Sequence, residues 1–320
     1  MTPSRDAAPV IHIGYPKTAT TLLQSRVFAP HPSLAQRTIL DARHDADLRH
    51  AFRVLLETDE AVFHDHEDVL RQTLFTAPPG QVAVVSHEHL DLGAHWRLGQ
   101  NWTPAWDRPT LSHGYVGRQR IMERLARLAP EAHILVTLRE PVALLESLYL
   151  QLCQNRKFTM SYTAFLQDAW ESRAYSSILA GLELDALTRT LTAIFGRERV
   201  IILPYEDLTA NRARYVGTLA DALGLPPDDV DKALTTEAVN PRMRANRHRL
   251  QTLRKRIPGG HVLAKAVPGG LKRALFATGA PQTLTTDAAW RDALNGYFAP
   301  GTRRLAETFN LPLADLGYPT

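Results

Sequence analysis

The stretch VIHIGYPKTATTLLQ, residues 10–24, decides the fold. It begins with a short apolar run, Ile11–Gly14, which is typical of a buried β-strand, and a helical pattern follows from about Thr18 to Phe28. The turn between them carries Lys17 and is followed by threonine hydroxyls. The free N–H groups at a helix start attract an anion, and a lysine adds a full positive charge. The stretch therefore predicts a strand–loop–helix unit that cradles a phosphate group.

This loop differs from the Walker A pattern. Walker A ends in Gly-Lys-Ser/Thr, whereas Lys17 follows Gly14 by three residues and the loop has no second glycine. A polar turn that leads into a threonine-rich helix start is the alternative interpretation. The strand before the loop and the helix after it favour phosphate binding.

Three further apolar runs predict strands at Val82–Val85, His133–Leu138 and Val200–Leu203. Helical patterns separate them, among them residues 44–76, and residues 91–114 predict a long loop. Short buried strands that alternate with helices predict an α/β fold, in which a mostly parallel central sheet is flanked by helices. Ligands bind such sheets at the carboxyl ends of the strands. We therefore expect one site to gather the polar motifs that follow the strands: Gly14–Thr21, Ser86–His89, Arg139–Ser147 and Pro204–Asp207.

Length and composition exclude several classes of protein. The chain has 320 residues, 44% hydrophobic and 22% charged, which are globular values and argue against a disordered or collagen-like chain. No apolar run reaches the ~18 residues of a transmembrane helix, and the N-terminal residues do not resemble a secretory signal. The single cysteine, Cys153, rules out an intrachain disulfide and a multi-cysteine zinc site. It also fits a reducing compartment, so we expect a cytoplasmic protein.

The length fits one domain over residues 1–320. The net charge is +4 and the pI about 9.3, and the clearest basic cluster runs from Arg242 to Arg256. Residues 258–281 are rich in glycine and proline. Residues 240–285 are therefore a candidate basic loop and lid within the domain. Nucleic acid or a small polyanion would suit such a cluster equally well.

The pattern Gly-x-Pro-Lys-Thr-x-Thr-Thr-x-Leu-Gln at Gly14–Gln24 resembles the 5′-phosphosulfate loop of sulfotransferases. The resemblance implies a P-loop NTPase-like sulfotransferase fold and the donor 3′-phosphoadenosine 5′-phosphosulfate, PAPS. The family most often has glycine at the position of Ala19, so alanine is a departure that restricts the backbone there. Few of the basic residues are lysine, which suggests an arginine-biased bacterial coding background. By resemblance the donor is held by Gly14, Pro16, Lys17, Thr18, Ala19, Thr20 and Thr21.

A second motif supports the resemblance. Arg139-Glu140-Pro141, followed by Ser147 and Tyr149, resembles the Arg-x-Pro…Ser-x-Tyr motif that binds the 3′-phosphate in the family. An arginine at a strand end offers a forked donor that suits a phosphate. Ser147, about two turns into the next helix, can point back to the same group. The alternative is an arginine in a surface salt bridge and a serine that fills a helix.

The resemblance is weaker toward the C-terminus and fades after about residue 224. Tyr205-Glu206-Asp207-Leu208 after a late strand is common in sulfotransferases, and the resemblance places Tyr205 near the adenine. Acidic residues that complement a helix dipole are the alternative interpretation of Glu206 and Asp207. The family also uses a basic C-terminal loop against the 3′-phosphate. Arg242, Arg244 and Arg247 are candidates for that role by charge and chain order.

Sulfuryl transfer needs a base that takes the proton of the acceptor and a cation that stabilises the leaving oxygen. Lys17 suits the cation. His89 matches a catalytic histidine that precedes leucine in cytosolic members of the family, and Glu88 matches the glutamate of carbohydrate-type members. Side chains alternate along a strand, so one of the two is expected to be the base. His87 and His89 also form a His-x-His pair, but no third ligand has metal-site spacing, so no metal is expected.

The sequence thus predicts a PAPS-dependent sulfotransferase that acts on a hydroxyl or amine of a small-molecule, sugar or lipid acceptor. No nucleic-acid partner is expected. A P-loop kinase is the first alternative, although no magnesium-binding acid at a strand end is recognised. A noncatalytic protein that binds nucleotides or nucleic acid through residues 242–256 is the second.

Overall fold

The computed structural model describes residues 8–15, 17–38, 41–87, 90, 112–153, 158, 160–173, 178–235 and 284–320, without the side chains of 112–117. Within these residues, five strands form one sheet in the order β2-β3-β1-β4-β5, and every neighbouring pair is parallel. This confirms the predicted α/β fold class. The strands are β1 (Val10–Gly14), β2 (Leu34–Thr38), β3 (Val82–Ser86), β4 (His133–Leu138) and β5 (Val200–Pro204).

Helices connect the strands and cover the sheet. The first begins as α1 (Thr20–Leu22) and continues as a π-helix, Leu23–Phe28. Short 3₁₀ turns lie at Asp41–Arg43 and Arg197–Arg199. The further described helices are α2 (Ala46–Glu57), α3 (Glu60–Asp65), α4 (Glu67–Phe75), α5 (Ser112–Leu128), α6 (Pro141–Leu152), α7 (Tyr162–Glu171), α8 (Ile178–Gly181), α9 (Leu184–Phe195), α10 (Asp207–Ala210), α11 (Arg212–Leu223), α12 (Pro227–Leu234) and α13 (Ala288–Phe309).

The sheet has a buried core on each face because its strands are apolar on both sides. Ile11 and Ile13 of β1 belong to the larger cluster, which includes side chains of α2, α5, α6 and α9. Val10 belongs to the smaller cluster with side chains of the π-helix and α11. Strand residues alternate in direction, so His12 lies on the same face as Val10, and its ring meets Phe28 edge-on with 5.3 Å between centroids. A polar residue is therefore built into the second core.

The π-helix is a wide turn that follows the short helix α1 at the end of the loop. Its backbone continues into Ala29, whose N–H donates to the carbonyl of Gln24 at 3.0 Å. The π-helix buries Leu23, Val27 and Phe28 together with the amide side chain of Gln24. π-Turns are rare and are found mostly at functional sites.

The structure corrects the predicted elements in two places. Leu34–Thr38 was not predicted as a strand, yet it pairs with β3 from Leu34↔Val82 to Thr38↔Ser86 and lies at the edge of the sheet. The loop predicted over 91–114 ends earlier, because α5 already begins at Ser112. The predicted helical segment 44–76 is divided into α2, α3 and α4. The lid and most of the basic loop proposed within 240–285 lie outside the described residues.

Candidate functional site

The loop after β1 turns sharply through two left-handed residues. Lys17 has φ 69° and Ala19 has φ 66°, values that side-chain-bearing residues rarely adopt. Each such residue costs roughly 1–2 kcal/mol relative to ordinary backbone. The departure at Ala19 noted in the sequence therefore has a structural meaning, because alanine holds a conformation that suits glycine. Strain of this kind persists only where the surroundings over-determine it.

The hydroxyl of Thr18, between these two residues, is used inside the protein. Thr18 is fully buried, and its Oγ1 donates to the carbonyl of Tyr15 and lies 2.9 Å from Oγ1 of Thr137 on β4. Its proton is thus committed to the loop itself. The backbone N–H groups that open α1 lie in the same loop as the half-buried Lys17 and the half-buried Thr21, and groups of these kinds attract an anion.

Arg139 joins the loop to the second predicted motif. It follows the end of β4, and its Nη1 donates to the carbonyl of Lys17 at 3.1 Å. Its guanidinium carbon lies 5.1 Å from the ring centroid of Tyr205. The backbone N–H of Tyr205 donates to the carbonyl of Leu138 at 2.8 Å, which holds the end of β5 beside that of β4. Three motifs that are far apart in sequence therefore meet at the carboxyl edge of the sheet.

The helix after Arg139 begins as the sequence predicts, with Pro141 in its first turn. The Glu140 side chain caps this helix by accepting from the N–H groups of Val142 and Ala143 at 2.9 and 2.6 Å. Ser147 is half-buried on this helix. Tyr149, the last residue of the motif, donates its hydroxyl to the carbonyl of Met160 at 3.1 Å and lies in an aromatic cluster instead of facing solvent.

The acidic pair after Tyr205 has structural partners. Glu206 accepts from the N–H of Glu140 at 2.9 Å and from the hydroxyl of Tyr318 at 2.7 Å, so it ties the β5 end to the start of α6. Asp207 is buried and forms a two-pronged ion pair with Arg214. Burial raises the pKa of Glu140 against the opposing effect of its two backbone hydrogen bonds. Burial and the neighbouring Glu206 raise the pKa of Tyr318.

The end of β3 lies beside the end of β1. Ser86 is the last residue of β3 and pairs with His12, and the N–H of His87 donates to the His12 carbonyl at 3.3 Å. The ring of His87 is buried and lies 4.9 Å from that of Phe52. The base candidates Glu88 and His89 lie outside the described residues, and the same holds for Pro16, Arg242 and Arg244.

Sequence reasoning missed a buried polar network under the loop. His12 was counted only as part of an apolar run, yet its Nδ1 lies 2.7 Å from Oγ of Ser86 and its Nε2 lies 3.3 Å from Oγ1 of Thr137. Nε2 of Gln24 donates to the same Ser86 oxygen at 2.9 Å. Burial lowers the pKa of His12 to about 3, so the ring is neutral at physiological pH. A histidine inside an otherwise apolar strand was the available signal.

Within the described residues, no group of three or more histidine, cysteine, aspartate or glutamate side chains could hold a metal ion. None of the described helices is long and apolar enough to cross a membrane.

Residues 116–229 match the profile described as "Sulfotransferase family". This range contains Arg139, Ser147 and Tyr205 and leaves out the loop after β1. No curated protein matches the chain.

Solved structures align with this chain at low sequence identity, and the first of them shares its fold. A sulfotransferase from Alicyclobacillus acidocaldarius aligns with a TM-score of 0.54 and 15% identity, over 97% of this chain and 99% of that chain. The sulfotransferase domain of a Synechococcus olefin synthase aligns with a TM-score of 0.34 and 15% identity, over 97% and 98% of the two chains. The sulfotransferase domain of the curacin biosynthetic pathway aligns with a TM-score of 0.40 and 14% identity, over 96% and 99%.

Proposed function

We propose that this enzyme moves a sulfuryl group from PAPS to a hydroxyl or amine of a small-molecule acceptor, and the match of residues 116–229 to the sulfotransferase family profile is the premise of this proposal. The contact between Arg139 and the Lys17 carbonyl, at 3.1 Å, carries the proposal. It brings a strand-end arginine and a lysine-bearing helix start to one place. Two separate cationic groups suit a nucleotide that carries phosphates at both its 3′ and 5′ positions.

The 5′ end of the donor is assigned to the loop after β1. Backbone N–H groups at the start of α1 would face the phosphosulfate, and Gly14, Pro16 and Ala19 would let the backbone approach it. Thr20 and Thr21 belong to the same turn. Thr18 would contribute its backbone rather than its hydroxyl, because that proton is already donated to Tyr15.

The 3′-phosphate is assigned to Arg139 and Ser147, with Arg242 and Arg244 as further donors from the C-terminal basic segment. Tyr205 is assigned to the adenine. The support for Tyr205 is its stacking on Arg139, which places an aromatic ring next to the proposed phosphate ligand.

The transfer itself requires a proton acceptor and a stabilised leaving group. In the proposed step a base removes the acceptor proton, the acceptor oxygen or nitrogen bonds to sulfur, and the bond from sulfur to the bridging phosphate oxygen breaks. Lys17 would stabilise the charge that grows on that bridging oxygen. His89 or Glu88 would be the base. Both follow β3, whose end adjoins that of β1.

Nucleotide binding tests the donor assignment. Adenosine 3′,5′-bisphosphate at ~100 times its dissociation constant should stabilise the protein by roughly 2.7 kcal/mol. AMP, which lacks the 3′-phosphate, should stabilise it much less in the same thermal-shift assay. Equal shifts with the two nucleotides would remove the 3′-phosphate role, and a shift with ATP-Mg²⁺ alone would favour a kinase.

Turnover tests the reaction. PAPS is supplied with a panel of sugars, lipids, phenols and amines, and mass spectrometry detects a sulfated product.

Lys17→Ala should reduce turnover of the acceptor so found by roughly 10²–10³-fold, with a smaller effect on nucleotide affinity. Lys232→Ala, at an exposed lysine of α12, is the matched control and should retain activity. A Lys17→Ala enzyme with normal turnover at saturating PAPS would reduce Lys17 to a binding group.

A further inference from the structure

In the hydrogen-bond network beneath the loop after β1, the donor and acceptor of each bond can be assigned in only one way. The carbonyl of Tyr15 can only accept, so the Thr18 hydroxyl must donate to it. Thr18 then has no proton left for Thr137, and the Thr137 hydroxyl must donate across their 2.9 Å contact. The proton of Thr137 is thereby used as well.

The direction of that chain fixes the tautomer of His12. Its Nε2, 3.3 Å from Oγ1 of Thr137, has to carry the ring proton and donate it. Its Nδ1 is then a bare acceptor, and the Ser86 hydroxyl donates to it at 2.7 Å. The amide nitrogen of Gln24 supplies the proton that Ser86 accepts, at 2.9 Å. Each hydroxyl in this chain therefore donates one hydrogen bond and accepts one.

We propose that His12 is a positioning residue: its neutral, Nε2-protonated ring polarises a hydrogen-bond chain from Gln24 through Ser86, Thr137 and Thr18 to the Tyr15 carbonyl, and this chain holds the phosphate loop in its binding conformation. The part of the proposal that concerns the loop's ligand rests on the proposed function. The direction of the chain does not.

The strain in the loop explains why such a chain is needed. Thr18 lies between the left-handed residues Lys17 and Ala19, and its side chain is the point where the chain holds that turn. A loop held in an unfavourable conformation needs anchors that over-determine it. The lowered pKa of His12 agrees with the neutral ring in this chain, because burial disfavours a second ring proton.

The same chain joins the two sides of the proposed reaction centre. Ser86 ends β3 and is followed after one residue by the base candidates, whereas Thr18 lies in the donor loop. His12 connects these two segments through its hydrogen bonds to Ser86 and Thr137. A change at His12 is therefore expected to reach both the loop and the base segment without any contact to the reacting atoms.

The tautomer is tested without reference to activity. In ¹⁵N-histidine-labelled protein at pH 7, long-range ¹H–¹⁵N correlation should show one ring with a protonated Nε2 and a bare Nδ1 that is absent from His12→Gln. A ring protonated on Nδ1, or on both nitrogens, would overturn the chain.

Two conservative variants test positioning. Glutamine places an amide near the position of Nε2 and can still donate to Thr137, whereas asparagine reaches only toward Ser86. His12→Gln should keep the affinity for adenosine 3′,5′-bisphosphate within about threefold, and His12→Asn should lose about tenfold, the cost of roughly one hydrogen bond. Equal losses in the two variants would mean that His12 only fills space.

Thr137→Val gives a second test if His12→Asn does not fold. Valine keeps the shape of threonine and breaks the chain between His12 and Thr18, so affinity should again fall about tenfold. Thr188→Val is the matched control, because its buried hydroxyl donates to the Asp185 carbonyl at 3.1 Å in α9. Thr188→Val should leave affinity unchanged, and an equal loss in this variant would overturn the positioning role.

If the unmodified protein does not bind the bisphosphate, the proposed function and the loop role both fail. The spectrum of the ¹⁵N-histidine-labelled protein still decides whether the hydrogen-bond chain has the proposed direction.

Discussion

Thr20 packs against Gly14 with no room for a side chain between them. A Cβ at position 14 would lie 2.0 Å from Cγ2 of Thr20 and 2.8 Å from Oγ1 of Thr137. Real Cβ contacts are never this short, so the start of α1 can fold back over the end of β1 only because residue 14 is glycine. The conformation of the loop thus depends on an absent side chain as much as on the ones present.

Gly14→Ala should therefore destabilise the protein and weaken nucleotide binding together. Overpacking of this kind costs typically about 1–3 kcal/mol, and the helix start would have to move away from the strand. Thermal unfolding and calorimetry with adenosine 3′,5′-bisphosphate measure the two effects. Adding Thr20→Ser, which removes the clashing methyl group, should restore part of the stability. A Gly14→Ala protein that melts like the unmodified one would contradict the close packing.

Ala19→Gly should stabilise the protein. Glycine adopts a φ near the observed 66° without steric cost, and this gain exceeds the extra freedom that glycine gives the unfolded chain. We expect a net gain of about 0.5–1 kcal/mol in urea unfolding. Ala193→Gly, at an exposed site in α9, is the opposite control and should destabilise by up to about 1 kcal/mol. Loss of stability in both variants would show that Ala19 is not strained.

Arg139→Ala should weaken adenosine 3′,5′-bisphosphate binding by roughly 10–100-fold, because hydrogen bonds to a charged group are worth about 1.5–3 kcal/mol. AMP binding should change far less. Arg197→Ala is a close match in structure, since Arg197 also donates to a backbone carbonyl, that of Thr308 at 3.1 Å, and also lies over a ring, that of Phe309. The same loss of affinity in both variants would point to a general effect of removing such an arginine.

One of His89→Ala and Glu88→Ala should lower turnover by roughly 10²–10⁴-fold while nucleotide affinity stays nearly intact, as expected for loss of a general base. His89 is the stronger candidate, because a neutral imidazole is a competent base near pH 7. Rates at saturating PAPS and melting temperatures are compared with those of His44→Ala, at an exposed histidine. Two folded variants with rates within a few-fold of the unmodified enzyme would move the base elsewhere.

The free energy of unfolding should decrease as the pH is lowered below 6.5, and the cause is His12. Burial lowers the pKa of this ring from 6.5 to about 3, so the unfolded chain binds a proton in this window that the folded protein does not. Unfolding is then favoured as pH falls from 6.5 toward 3. Between pH 6.5 and 5 the unmodified protein should lose about 1.6 kcal/mol more than His12→Gln in urea unfolding. Parallel losses in the two proteins would show that the pKa of His12 is not lowered in the folded state.

The elements found from sequence were those whose own residues carry the signal. β1, β3, β4 and β5 are apolar runs, and each was predicted within a residue or so of its observed bounds. β2 has the sequence Leu-Ala-Gln-Arg-Thr, whose polar middle shows no pattern of a buried strand. It lies at the edge of the sheet, where a single neighbour supplies the pairing, so its strand conformation depends on β3 and not on local preference.

The residues of the candidate site also divide into those that the sequence marks by itself and those that depend on the fold. Charge and turn residues mark the loop, Arg139 and Tyr205 directly in the sequence, and the fold brings these three together. His12 and Gln24 were missed because their role exists only after the fold brings Ser86 and Thr137 alongside them. The use of the Thr18 hydroxyl is likewise visible only in the folded chain, where its proton is donated to the Tyr15 carbonyl.

The π-turn at Leu23–Phe28 makes the loop after β1 difficult to transplant. A designer who moved residues 14–22 into another α/β scaffold and continued them with a regular α-helix would change the angular position of every later side chain. Gln24, which reaches Ser86 from inside this wide turn, would then point elsewhere, and Val27 and Phe28 would leave the core. The segment that would have to be transferred is therefore longer than residues 14–22. It extends through Phe28 and includes the strand residues that the π-turn contacts.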